Sequence, residues 1–107
     1  MTELKTWILL TLAILGEVAG TTFMKLSQGF TQLAPSIGIF VSYAISFAFL
    51  TLSLKHLEMG FAYALWSGLG TLLIFMVGVF YFGEPMTMLK TVSVLAIIVG
   101  VIGLKQA

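Results

Sequence analysis

Apolar residues fill this chain in four long runs, separated by short clusters of polar and turn-forming residues. The runs cover about residues 4–24, 33–54, 59–83 and 86–104. Each approaches or exceeds the roughly 20 residues an α-helix needs to cross the hydrocarbon core. The second and third carry no charge, and Glu17 interrupts the first. Lys90 stands near the start of the fourth, where its long stem reaches back to the interface. Polar gaps fall at 25–32, 55–58 and 83–85, the last reading Gly-Glu-Pro. The pattern predicts an all-α integral membrane protein, one four-helix transmembrane domain over residues 1–107. Alternating strands of about 10 residues, the mark of a membrane β-barrel, do not occur. The first run is too long for the apolar part of a signal peptide. It also contains a carboxylate and lacks a small-residue cleavage site, so it is expected to stay as a span.

Composition strengthens the membrane reading. Of 107 residues, 60% are hydrophobic and 8% charged, against about 25% charged in soluble domains. A net charge of +1 gives no reason to expect a nucleic-acid partner. Without cysteine there is no thiolate chemistry or Cys-bearing metal site, and the lone His56 builds no metal cluster. No phosphate-binding GxxxxGK[ST] run is present, nor a grouping of nucleophile, base and orienting residue. Neither enzyme activity, nor a metal, nor a cofactor is expected.

Four spans put Lys5, Lys55 and Lys105 on one side of the membrane and Lys25 and Lys90 on the other, with no arginine. The lysine and arginine bias that sets topology is therefore nearly absent. Two readings follow. One is insertion in both orientations, letting two copies pair antiparallel like the inverted repeats of many transporters. The other is a single orientation fixed by the amino terminus and one extra lysine. The first is preferred here.

Glu17 decides the candidate chemistry. About 13 residues into the first span, it lies ~20 Å along the helix. A carboxylate at that depth costs a few kcal/mol or more and marks a functional site by default. In a dimer, two such groups facing one cavity would take either protons or a cation, a physical basis for exchange. The alternative is a permanently protonated glutamate holding helices together. Ala13, Ile14 and Thr21 share its face at helical spacing, and Gly16 and Gly20 form a GxxxG pair beside it.

Aromatic residues reach the same depth. Tyr43 in the second span is level with Glu17, with Phe47 one turn on, and Tyr63 and Trp66 share a face of the third. Rings around a carboxylate suit an organic cation through cation–π attraction, whereas a hydrated metal ion wants several oxygens. Gly68 and Gly70 mark a candidate hinge in the third span, or only a place of close packing. Ser93, Ala96, Gly100 and Gly103 form a small-residue stripe on the fourth, read as a dimer contact.

These residues resemble the small multidrug resistance transporters over essentially the whole chain. The likeness is carried by Gly16-Glu17-Val18-Ala19-Gly20-Thr21-Thr22, Met24-Lys25, Ser27-Gln28-Gly29-Phe30-Thr31, Pro35-Ser36 and the stretch from Ala62 to Gly70. The resemblance implies a dual-topology antiparallel homodimer of the inner (plasma) membrane, exchanging protons for lipophilic and quaternary ammonium cations. It implies that Glu17 is the shared proton and substrate site. Tyr43, Tyr63 and Trp66 match pocket-lining positions, and Ala13, Ile14 and Thr21 match positions flanking the glutamate. Guanidinium exporters of the family usually carry Trp-Ala shortly after the glutamate, where this chain has Gly20-Thr21-Thr22. A guanidinium-selective exchanger, or one half of a paired heterodimer, is the alternative. Gln32 in place of a frequent arginine, and Ser93 in place of a frequent glycine, depart from the family pattern.

Overall fold

The computed structural model describes residues 2–107, and the side chains from residue 3 onward. Four helices account for most of it: α1 (Thr2–Leu26), α2 (Leu33–Ser53), α3 (Met59–Phe80) and α4 (Met88–Gln106). All four are long and apolar enough to cross a membrane, and their outer faces carry large exposed hydrophobic side chains. In water such a surface would not stay dispersed. The chain is a multi-pass membrane protein.

The helix ends follow local chemistry. At the α1–α2 turn, Gln28, Gly29 and Phe30 all take positive φ, an arrangement steadied by the buried Ser27. Its hydroxyl donates to the Met24 carbonyl and accepts from the Phe30 amide. Pro35 sits in the first turn of α2, where its missing N–H has no helical partner to lose. Helix α3 stops at Phe80, short of Gly83, because the chain folds back on its own end: the Glu84 amide donates to the Gly78 carbonyl at 2.9 Å. Gly83, at φ 69°, supplies the left-handed step that this return needs. Helix α4 starts at Met88 rather than Met86, where the Thr87 side chain accepts from the Lys90 amide.

Helix α1 packs against α2 and α3, while α4 packs principally on α3. The result is a slab 41 × 34 × 19 Å. Small residues let α1 and α2 approach closely, and a β-carbon at Gly20 would sit 2.7 Å from the Tyr43 ring. Leu10, Ala13, Ile14 and Trp66 form the buried centre. Polar bonds pin it. The buried Ser46 hydroxyl donates to the Ala13 carbonyl at 2.6 Å, and the Trp66 indole N–H reaches the Ser46 oxygen at 3.2 Å and the same carbonyl at 3.3 Å. Three helices thus meet at one serine. Interhelical hydrogen bonds in membranes contribute about 0.6–2 kcal/mol each. Ser46→Ala should lower stability by about 1 kcal/mol in denaturation from mixed micelles with sodium dodecyl sulfate. Unchanged unfolding would remove this junction from the account.

Candidate functional site

Glu17 lies on the inner side of α1, half-buried against α3. One carboxylate oxygen accepts a hydrogen bond from the Thr21 hydroxyl, one turn on, at 2.9 Å. The Thr21 oxygen also makes a short hydrogen bond to the Tyr43 hydroxyl of α2, so carboxylate, threonine and tyrosine form one connected row. The other oxygen, Oε2, is buried without a hydrogen-bond partner. A carboxylate oxygen in that position is satisfied by a hydrogen-bond donor, by binding a proton or by facing a cation.

Gly70 explains how the carboxylate fits. A β-carbon there would lie 2.6 Å from Oε2, so only glycine leaves the acid room against α3. Gly68 serves α4 instead, since a β-carbon would come within 2.8 Å of Val101. Helix α3 runs unbroken through both glycines, which act in this conformation as places of close approach.

The four aromatic residues form one row. Tyr43 and Phe47 have ring centroids 5.6 Å apart, Phe47 and Trp66 6.0 Å, and Trp66 and Tyr63 5.5 Å. Tyr43 ties its inner end to Glu17 through Thr21. Phe47 and Tyr63, 50% and 59% exposed, bring its outer end to the surface of the chain. Trp66 is buried between them, its N–H spent on helix packing.

Not every expected residue shares the open part of the site. Ala13 and Ile14 are buried in the core, with Ala13 contributing its carbonyl to the Ser46 junction. Ser93, Ala96, Gly100 and Gly103 all lie exposed on α4, away from Glu17, and a β-carbon at either glycine would meet open space. Ser93 lines a cavity of about 510 Å³ between α3 and α4 that does not include Glu17.

Sequence reasoning missed three participants. Ser46 had a signal, as a hydroxyl less than a turn from Tyr43. Lys25 and Glu84 had none, being far apart in the chain; they form an ion pair at 2.9 Å across the ends of α1 and α3. Lys25 also lies 5.5 Å from the centre of the Phe82 ring. A cleft of about 90 Å³ extends from Thr21 to this pair, lined also by Ile74, Val77 and Gly78.

The chain matches the Small Multidrug Resistance protein family over residues 5–105. It belongs to that family. Among its relatives, an uncharacterized membrane protein of Bacillus subtilis, YvaE, is 50% identical over 92% of this chain and 82% of its own length. The multidrug resistance protein mmr of Mycobacterium bovis is 43% identical, over 94% of this chain and 95% of its own. The quaternary ammonium compound-resistance protein QacC of Staphylococcus aureus is 41% identical over 92% of each chain. Family membership therefore covers all four helices and the whole Glu17 row.

Gly70→Ala tests the geometry directly. The added methyl should displace the Glu17 carboxylate and change its rate of modification by dicyclohexylcarbodiimide severalfold. An unchanged rate would mean that Gly70 does not shape the site.

Proposed function

We propose that this protein is a proton-coupled antiporter of the plasma membrane that exports lipophilic and quaternary ammonium cations. The observation that carries the reading is the Glu17 carboxylate at membrane depth, one oxygen held by Thr21 and the other buried without a partner. Such a group accepts one positive charge, a proton or an organic cation. Competition for it couples the two flows. The adjoining row of Tyr43, Phe47, Trp66 and Tyr63 offers flat faces to an aromatic cation. The names of mmr and QacC, multidrug and quaternary ammonium resistance, agree with that substrate class.

The functional unit is an antiparallel homodimer of oppositely inserted chains. Two features support it. The aromatic row opens at Phe47 and Tyr63 onto the outside of a single chain, and the small residues of α4 are exposed. A second copy would close the first into a cavity and pack against the second, bringing two Glu17 side chains to one site. Protons leave the glutamates as the cation enters from the cytoplasm. The dimer then exchanges which side is open, with bending at Gly68 and Gly70, and protons arriving from outside displace the cation.

The decisive variant is Glu17→Gln, which keeps shape but cannot carry charge. In proteoliposomes with an imposed proton gradient it should lose tetraphenylphosphonium transport altogether. Transport against a gradient by this variant would refute the assignment, and wild-type transport of guanidinium alone would point to the guanidinium-selective branch. Because Trp66 also holds the core together, the ring contribution is better read at the exposed Tyr63. Tyr63→Leu should weaken tetraphenylphosphonium binding about threefold to thirtyfold and affect tetramethylammonium less. Equal losses for the two ligands, by titration calorimetry, would count against stacking on the aromatic row.

A further inference from the structure

The bundle end that holds the start of α1 and the end of α2 carries a second pocket, unconnected with Glu17. It has a volume of about 240 Å³ and is lined by Lys5, Leu9, Leu52, Lys55 and His56. Lys5 and Leu9 lie one turn apart on α1, while Leu52 is in the last turn of α2 and Lys55 and His56 lie in the turn that follows it. Three basic side chains therefore line one pocket together with two leucines, Leu9 half-buried and Leu52 exposed.

The five lysines of the chain divide into two groups. Lys25 pairs with Glu84, Lys90 donates to the Pro85 carbonyl at 2.8 Å, and Lys105 lies 5.6 Å from the centre of the Trp7 ring. Lys5 and Lys55 make no ion pair or side-chain hydrogen bond among the described residues. Glu3 and Glu58 are at the same end of the bundle, yet neither comes within ion-pair distance of a lysine. Two like charges facing one pocket repel each other unless an anion lies between them.

We propose that the pocket of Lys5, Lys55 and His56 binds the phosphate of an anionic phospholipid, whose acyl chain runs along Leu9 and Leu52. Depth and shape favour a lipid over a free anion. The basic groups stand where the membrane-spanning helices end, at the level of phospholipid headgroups. The pocket floor is apolar, which a free phosphate would leave unused and an acyl chain would cover. Basic pockets between transmembrane helices at this level are a recurrent form of headgroup recognition. The inference is independent of the transport reading, and its test requires no transport.

The purified protein, in detergent with equimolar phosphatidylglycerol and phosphatidylcholine, would be analysed by native mass spectrometry for retained lipid. The wild type should retain phosphatidylglycerol preferentially. Each lysine near a headgroup corresponds to about a fivefold change in binding, so Lys5→Gln/Lys55→Gln should lose about twenty-fivefold and Lys55→Gln alone about fivefold. Lys90→Gln, at the opposite end of the bundle, should retain lipid like the wild type. Both pocket lysines are exposed and unpaired, so folding does not depend on them. Undiminished retention by the double variant would overturn the proposal, and so would an equal loss in Lys90→Gln, the mark of general charge attraction. Displacement of the lipid by inorganic phosphate at equal concentration would show a site for free anions instead.

Discussion

Everything in this bundle is arranged around the cost of placing one carboxylate among four hydrocarbon-soluble helices. Burying an ionised acid without a partner costs many kcal/mol, and a single hydrogen bond from Thr21 offsets only part of it. Among the described residues no basic side chain pairs with this acid. The only ion pair among these residues, Lys25–Glu84, is exposed at the helix ends. The acid is thus held in place by Thr21, with its other oxygen buried and without a hydrogen-bond partner.

The packing serves the same purpose from several directions. Gly70 removes the side chain that would crowd the acid, and Gly20 lets the Tyr43 ring lie against α1, within reach of Thr21. Ser46 and Trp66, the latter itself part of the aromatic row, lock α1, α2 and α3 together. These polar contacts contribute more to orientation than to stability, since each membrane hydrogen bond is worth only about a kcal/mol. By contrast α4 meets mainly α3 and shows its small residues outward. The chain is closely packed where the acid is held, and the aromatic row ends at exposed side chains.

Much of this is legible in the sequence because the membrane forces simple patterns on it. Helix number follows from four apolar runs, and Glu17 identifies itself as an acid where none is tolerated without a reason. Thr21 and Tyr43 follow from helical spacing and matched depth. What periodicity does not supply is the rotation of one helix against another. For that reason the sequence leaves Gly70 as either a hinge or a place of close packing, and only the fold shows it set against the Glu17 carboxylate. Ala13 and Ile14 share a helix face with Glu17, yet slight rotation turns their side chains into the core. The Lys25–Glu84 pair depends on a chain reversal at Gly83 that no spacing rule encodes.

The central claim is that one carboxylate serves two ligands in turn, and proton release reports this most directly. Adding tetraphenylphosphonium to the purified protein in weak buffer should release protons in proportion to the cation bound, saturating at the same concentration as binding. Saturable binding with no proton release would contradict the account, because cation and proton would then occupy the protein independently.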